Sequence, residues 1–214
     1  MNTLPDQSPR GLLVRPVIWA ALGLVILFIA AVVVMSRFKF EPPDGSKAGL
    51  DDFGTVPNVV LTERSGQSLA LDDLHGSAWI ADFIFTYCTG PCPLMTARMA
   101  ELQKEFHDIE GLKFVSFSVD PDRDTPERLR EYATIYNADS QRWLFLVAPK
   151  DTMDDLASAR FHMAASGDLL LHSTLFALVD QKGHIRNYYH IDDPQMKAKM
   201  RADVLALLGR GPSS

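Results

Sequence analysis

Cysteine is scarce in this sequence: its 214 residues contain only Cys88 and Cys92. There is no low-complexity tract, and the composition (47% hydrophobic, 22% charged) is that of an ordinary globular protein. Basic charge is also in short supply. The formal net charge is −6, and residues 41–214 alone carry −9, with 17 basic side chains against 26 acidic ones. An acidic domain without a basic stripe argues against binding to nucleic acid and against lying on an anionic membrane surface.

Charge is absent altogether from residues 17–35, which are almost entirely apolar. As a helix this run would span about 29 Å, close to the hydrocarbon thickness of a bilayer. It is longer than the apolar core of a signal peptide and is followed by a poor cleavage site. The pattern predicts an uncleaved transmembrane anchor, with a cleaved signal peptide as the alternative. The flanking basic residues are balanced, so they leave the orientation open. No Arg- and Ser-rich presequence precedes the run, which favours a bacterial protein over a mitochondrial one.

The remaining chain alternates between strand-like and helix-like segments. Two short extended pieces flank the predicted turn at Ser65-Gly66. Periodicity and turn signals predict further strands at 78–85, 113–119, 143–147, 174–180 and 184–190, and helices after Pro93 and at 125–137, 151–161 and 194–208. This order predicts an α/β fold with a mixed sheet and helices on both faces.

The two cysteines lie in the sequence FTYCTGPCPLM, where the strand predicted at 78–85 ends and a helix begins. Ligands and chemistry collect at that edge of an α/β sheet. Cysteines four apart could form a disulfide, but so short a loop gains little stability from one. A helix N-terminus is expected to lower the pKa of a thiol. The sequence favours redox chemistry or metal binding as the role of the two cysteines. It leaves open that they are inert core thiols or form a structural disulfide.

A third ligand would decide between those two chemistries. Two thiolates and one imidazole suit copper, especially Cu(I), whereas zinc normally takes four protein ligands, or three and a water. Among the six histidines, His172 stands out because it opens the apolar segment HSTLFALV. On position alone, a purely hydrogen-bonding role for His172 stays open.

Three segments, taken in order, resemble the Sco/SenC family: TYCTGPCPLM, SVDPDRDTPERLREY and HSTLFALVDQKGHIRNYY. The similarity covers about residues 53–208. It implies a thioredoxin-like fold, copper held as Cu(I) or Cu(II) by Cys88, Cys92 and His172, and a role in assembling cytochrome c oxidase. Common members read C-P-x-x-C-P, whereas Thr89-Gly90-Pro91 fills the loop here, a change that removes no ligand.

Two further features bear on the resemblance. Thioredoxins place a cis-proline opposite the cysteines, but this chain has no proline between Pro149 and Pro194, which favours metal binding over general disulfide exchange. Asp120 and Asp124 belong to the acidic family segment. Their position before Pro126 indicates turn and helix-cap roles, with partner docking or a weak extra copper contact as the alternative.

The resemblance also orients the chain, because family members face away from the cytoplasm. It implies a short cytoplasmic tail (1–16), a transmembrane anchor (17–35), a linker (36–52), a periplasmic copper-binding domain (53–208) and a tail (209–214). The expected protein is a single-pass protein of the bacterial inner membrane.

The function implied by the resemblance is that of a copper metallochaperone rather than a conventional enzyme. Its expected partners are the oxidase subunit that carries the CuA centre, upstream copper donors and thiol reductants. The alternative is a thiol–disulfide oxidoreductase in which Cys88, expected to be the more exposed because it is nearer the strand end, attacks and Cys92 resolves the mixed disulfide. A peroxidase of the peroxiredoxin type shares the Thr86-x-Cys88 spacing but would need a fuller peroxide-pocket signature than this sequence has.

Overall fold

A seven-stranded mixed sheet forms the centre of the computed structural model, which describes residues 50–163 and 174–210. All of these residues belong to the unit that runs from Gly49 to Ser214. The strands are β1 (Val60–Glu63), β2 (Ser68–Ala70), β3 (Ala78–Ile84), β4 (Leu112–Ser118), β5 (Trp143–Val147), β6 (Leu175–Val179) and β7 (Ile185–His190). Their order is β2-β1-β5-β4-β3-β6-β7. Strands β3, β4 and β5 are parallel, and every other pairing is antiparallel, so the predicted mixed sheet is confirmed.

Helices cover both faces of the sheet, as predicted. They are α1 (Cys92–Glu105), α2 (Pro126–Ile135), α3 (Lys150–Asp154) and α4 (Met196–Leu207). Buried side chains of α1, α2 and α4 form the core on one face, here called the cysteine face because Cys88 and Cys92 belong to it. Buried side chains of α3 and of the 3-10 turn Leu71–Leu74 lie on the other face. The sheet is therefore enclosed on both sides, and its inner strand β3 is buried along its whole length.

The helix predicted at 151–161 is present but changes its winding. After α3 the chain continues as a π-helix over Asp155–Arg160. The wider winding brings Phe161 into the core, where its ring centre lies 6.0 Å from that of Trp79 and 5.3 Å from that of Phe83. Sequence periodicity predicts a 3.6-residue repeat and cannot anticipate this change, because burial of one large ring decides it.

Proline and threonine fix the starts of the helices that follow β3 and β4. Pro93 occupies the first turn of α1, where its missing N–H is not needed. Thr125 caps α2, with its hydroxyl oxygen accepting a hydrogen bond from the Arg128 N–H at 3.3 Å. Both predictions are confirmed, and both helix starts lie at the edge of the sheet where β3 and β4 end.

Several sequence-based predictions fall on residues outside the described ranges. They are the cytoplasmic tail (1–16), the transmembrane anchor (17–35), most of the linker (36–52), the end of the tail (209–214) and the ligand role of His172. Among the residues that the structure describes, no helix is both long enough and apolar enough to cross a membrane.

Candidate metal centre at the cysteine pair

The cysteine pair lies where β3 gives way to α1. Strand β3 ends at Ile84, and α1 begins at Cys92 itself. Both cysteines are free thiols, and both are buried, with 8% of Cys88 and 4% of Cys92 exposed. Cys88 is thus only slightly more accessible than Cys92. Access to either sulfur therefore depends on how firmly the loop between β3 and α1 is held.

A buried carboxylate holds the start of that loop. The side chain of Asp124 accepts three hydrogen bonds: from the Thr86 N–H at 3.0 Å, from the Thr86 hydroxyl at 2.6 Å and from the Ser118 hydroxyl at 2.6 Å. Asp124 has no exposed surface. Because Thr86 lies two residues before Cys88, Asp124 ties the cysteine loop to the end of β4. The sequence predicted a turn or cap role for Asp124, with partner docking or a weak copper contact as the alternative, and the structure adds this positioning role.

Asp120, the other acidic residue of the same segment, has a different environment. Its carboxylate pairs with the guanidinium of Arg123, with 2.6 Å between Asp120 Oδ2 and Arg123 Nε. Its backbone carbonyl accepts hydrogen bonds from the N–H groups of Arg123 and Asp124, which closes a turn before α2. The turn role predicted for Asp120 is confirmed.

An exposed aromatic residue stands beside the pair. Tyr87 is 51% exposed, and the guanidinium carbons of Arg123 and Arg128 lie 5.2 Å and 5.0 Å from its ring centre. Arg128 also donates a hydrogen bond from Nε to the Thr86 hydroxyl oxygen at 3.2 Å. Cation–π contacts of this kind fix the ring against the start of α2. The outer surface next to Cys88 is therefore an ordered aromatic and cationic patch.

A hydrogen-bond relay fixes the other end of the loop. The Thr96 hydroxyl donates to the carbonyl oxygen of Cys92 at 2.9 Å, and its oxygen lies 2.9 Å from the Tyr132 hydroxyl. Because Thr96 uses its only proton on Cys92, Tyr132 is the donor in the second bond. The relay connects the first turn of α1 to α2 through buried groups.

We expect Thr96→Val to lower the free energy of unfolding by about 1–3 kcal/mol, because it removes the Thr96 acceptor of the buried Tyr132 hydroxyl and the donor to the Cys92 carbonyl. Tyr132→Phe is the matched control. It removes that hydroxyl and leaves the Thr96–Cys92 bond intact, so it should cost about 1 kcal/mol or less. Chemical unfolding of the reduced protein measures both. Equal losses in the two variants would show that the relay does not contribute in this way.

The acid–base behaviour of Cys92 corrects one prediction. A position at a helix N-terminus was expected to lower the pKa of the thiol. The pKa of Cys92 is instead raised, first by burial and then by the neighbouring Cys88 side chain, although the backbone of Phe85 opposes the shift. Removal from water penalises the thiolate more than the helix end stabilises it. Cys92 is therefore a protonated thiol at neutral pH in the absence of a metal.

The described residues alone do not complete a metal site. Within residues 50–163 and 174–210, no three His, Cys, Asp or Glu side chains gather around one point. None of the five described histidines joins Cys88 and Cys92 in such a group, so the two sulfurs are the only ligand atoms there among the described residues. His184, for example, pairs with Asp52, with 2.9 Å between Nδ1 and Oδ2. The third ligand expected from the sequence, His172, stays a prediction.

Sequence reasoning missed one residue on the cysteine face, namely Asp82. It lies in the middle of β3, has no exposed surface, and neither carboxylate oxygen has a hydrogen-bond partner among the described residues. Burial raises the pKa of Asp82 from 3.8 to about 7. A signal was available, because a single acid interrupts the apolar run AWIADFIF, and an acid is seldom buried without a partner.

Comparison with known proteins gives this site a context. The family model described as SCO1/SenC matches residues 51–208. The SCO1 protein homolog of Bacillus subtilis is 34% identical over 141 residues, which cover 63% of this chain and 73% of the homolog.

Solved structures agree with this match. BsSco, a member of the Sco family of cytochrome c oxidase assembly proteins in which a disulfide switch has been identified, has a TM-score of 0.66 and 28% identity. The alignment covers 74% of this chain and 97% of BsSco. Arabidopsis thaliana ScoI, solved with copper bound, has a TM-score of 0.60 at 19% identity, covering 73% of this chain and 99% of ScoI, a level of identity that supports the fold alone. The thioredoxin-like fold of the Sco proteins is thus confirmed for the described part of the chain.

A family-model match of this length, joined by a homolog at 34% identity, establishes that the chain belongs to the SCO1/SenC family.

Proposed function

We propose that this protein is a copper metallochaperone, held in the bacterial inner membrane by residues 17–35, whose periplasmic domain binds copper. The proposed ligands are Cys88, Cys92 and His172. One observation carries the proposal: Cys88 and Cys92 are free, neighbouring thiols at the junction of β3 and α1, in a family with members solved with copper bound.

The donor chemistry of the pair supports copper over harder metals. Thiolates are soft ligands, and soft ligands select Cu(I) over harder metal ions. Both thiols must lose their protons on binding, so copper affinity rises with pH. The raised pKa of Cys92 makes this dependence steep at neutral pH.

Sheet topology supports His172 as the third ligand. Strand β6 is antiparallel to β3, with Ala81 opposite Ala177, so β6 begins at the edge where β3 ends. Leu175, the first residue of β6, follows His172 by three positions. A chain segment that enters β6 therefore approaches the same sheet edge as the cysteine loop.

The recipient that we propose is the oxidase subunit that carries the dinuclear CuA centre. Copper would move by ligand exchange, in which recipient cysteines replace Cys88 and Cys92 one after the other. Upstream copper donors and thiol reductants would supply the metal and keep the pair reduced. The membership of BsSco in a family of oxidase assembly proteins supports this choice.

A thiol–disulfide oxidoreductase is the second candidate. The disulfide switch of BsSco and the two free, neighbouring thiols of this chain favour it. In that role Cys88, which is 8% exposed against 4% for Cys92, would attack, and Cys92 would resolve the mixed disulfide. This activity needs the cysteines but not His172.

Anaerobic Cu(I) titration of the reduced full-length chain against a competing chelator tests the proposal. We expect one copper per chain, no binding by Cys88→Ser, and at least about tenfold weaker binding by His172→Ala. The rate of disulfide exchange with a small dithiol should stay within about twofold in His172→Ala. His162→Ala is the matched control for loss of an imidazole.

The two candidate functions predict opposite results in this experiment. Negligible copper binding by the reduced wild type would contradict the chaperone proposal and leave thiol–disulfide exchange as the candidate function. Full copper affinity in His172→Ala would show that the ligand assignment is wrong.

A further inference from the structure

A buried arginine stands beside the turn that joins β1 to β2. Arg64 directly follows β1, and only 8% of its surface is exposed. Its backbone N–H donates to the carbonyl oxygen of Phe145 at 3.0 Å, and its guanidinium carbon lies 5.2 Å from the centre of the Phe145 ring. The ring contact fixes the guanidinium group in place but takes no hydrogen bond in its plane. Among the described residues, the only charged group paired with Arg64 is Glu63.

That pairing leaves the donors of Arg64 unused. Glu63 Oε1 lies 3.5 Å from Arg64 Nε, which is an ion pair but is too long for a good hydrogen bond. The other oxygen of Glu63, Oε2, accepts the Ser65 N–H at 2.6 Å. Burial lowers the pKa of Arg64, and the opposing charges of Glu63 and Asp139 do not cancel that effect. The guanidinium group therefore lacks part of the stabilisation that a buried cation requires.

Arg64 borders a cavity of about 560 Å³. The β1–β2 hairpin, α2 and the chain that leads into β5 line this cavity. From α2 comes a second guanidinium group, that of Arg130, which donates a hydrogen bond from Nη2 to the backbone carbonyl oxygen of Arg64 at 3.1 Å. The volume is in the range of sites that bind small molecules. Two arginines with spare donors thus face a space large enough for a ligand.

The rest of the cavity wall combines polar and apolar side chains. Exposed hydroxyl and amide groups come from Gln67, Ser68 and Gln141, and apolar surface comes from Leu69 and Leu144, which are partly buried. Hydroxyl and amide side chains can hydrogen-bond the hydroxyl groups of a ligand, and the leucines can contact its carbon chain. A bare inorganic ion would use neither set of groups.

We propose that this cavity binds a small hydroxylated carboxylic acid, whose carboxylate lies against the guanidinium groups of Arg64 and Arg130. The planar fork of an arginine fits a carboxylate through two parallel hydrogen bonds, which supplies the acceptors that Arg64 lacks. Glu63 is a fixed negative charge in the same wall, so a ligand with a single negative charge is favoured over a phosphate dianion.

Binding of matched probes to the full-length, metal-free chain in a non-ionic detergent tests the proposal. Ligand-observed saturation-transfer NMR is made with gluconate and with sorbitol, which carries a CH₂OH group where gluconate has its carboxylate. Inorganic phosphate is tested by its ability to displace gluconate, with ionic strength held constant by NaCl. We expect gluconate to bind with a Kd of about 1 mM, and sorbitol and phosphate to bind at least about tenfold more weakly.

Three variants locate the binding site. Arg64→Lys keeps the charge but loses the planar fork, so it should weaken gluconate binding by at least about tenfold. Ser68→Trp fills the cavity from the exposed side of β2 and leaves both arginines in place, so it should abolish binding even if Arg64→Lys does not fold. Arg160→Gln is the matched control for loss of charge, because Arg160 is paired with Asp155 and does not line the cavity. It should bind gluconate as wild type does.

Each outcome decides for or against the proposal. Absence of gluconate binding by wild type up to about 20 mM overturns it, and so does binding that a folded Ser68→Trp leaves unchanged. Sorbitol that binds as tightly as gluconate, or phosphate that displaces gluconate at equal concentration, overturns the assignment to a carboxylic acid. Because the chain is metal-free and the cavity shares no residue with the cysteine loop, the result does not depend on the copper function.

Discussion

Asp124→Ala is expected to lower the free energy of unfolding by about 3–5 kcal/mol and to open the cysteine loop. The substitution removes the acceptor of three hydrogen bonds at once. It leaves the buried Ser118 hydroxyl, and the partly buried Thr86 N–H and Thr86 hydroxyl, without an acceptor. Stranded buried donors cost more than the bonds themselves contribute, which places this change among the large single-residue effects.

Two measurements distinguish loop positioning from general destabilisation. Chemical unfolding gives the loss of stability, and the alkylation rate of Cys88 under native conditions reports access to the loop. We expect alkylation to accelerate by at least about tenfold in Asp124→Ala, since local opening sets the rate for a buried thiol. Asp122→Ala, an exposed acid in the same segment, is the control and should change neither quantity. Faster alkylation in Asp122→Ala, or none in Asp124→Ala, would contradict the positioning role of Asp124.

Asp82→Asn is expected to stabilise the reduced protein relative to wild type, and increasingly so as pH rises. An acid whose pKa is raised from 3.8 to about 7 by folding opposes folding when it is charged. The unfolded state releases the Asp82 proton first, so wild-type stability falls between about pH 4 and about pH 7 and then levels off. The size of this loss is about 4 kcal/mol, from about 1.4 kcal/mol for each pH unit of the shift. The amide that replaces the carboxylate in Asp82→Asn does not ionise, so the free energy of unfolding of the variant does not show this fall with pH.

Unfolding of the reduced protein by denaturant at several pH values measures this effect as a difference between variant and wild type. Other carboxylates cancel in that difference. Asp180→Asn is a control with the opposite sign. Burial alone would raise the pKa of Asp180, but the backbone N–H groups of His184 and Lys182 and the Arg186 side chain outweigh it and lower that pKa. Asp180→Asn should therefore be less stable than wild type at neutral pH, by an amount that shrinks in acid. A pH-independent difference for Asp82→Asn would contradict the buried-charge account.

The fold could be predicted from the sequence because its strongest signals are local. The apolar run from Ala78 to Ile84 identifies β3, and the four-three-four spacing of Met95, Met99, Leu102 and Phe106 identifies the buried side of α1. All four of these residues are buried, and Phe106 directly follows the helix. The π-helix after α3 could not be predicted, because packing of Phe161 against rings from other strands decides it.

The cysteine site was predictable in its composition but not in its electrostatics. The positions of Cys88 and Cys92 at the junction of β3 and α1 follow from sequence motifs alone. The direction of the pKa shift of Cys92 does not, because it depends on burial by residues that are distant in sequence. The same holds for Asp124, since its contact with Thr86 spans 38 residues and no periodic pattern encodes it.

The burial of both cysteines also affects how the history of such proteins can be inferred from their sequences. Cys88 and Cys92 belong to the main apolar cluster, together with Ile84, Met95 and Met99. A descendant that stopped handling metal would still need groups of this size and polarity, and a free thiol is a good filler of a small apolar space. Selection for folding alone would then preserve the CxxxC pattern after its chemistry had been lost. Retention of both cysteines in a diverged paralogue is therefore weak evidence of retained copper handling, whereas retention of a histidine aligned with His172, the proposed third ligand, would be stronger evidence.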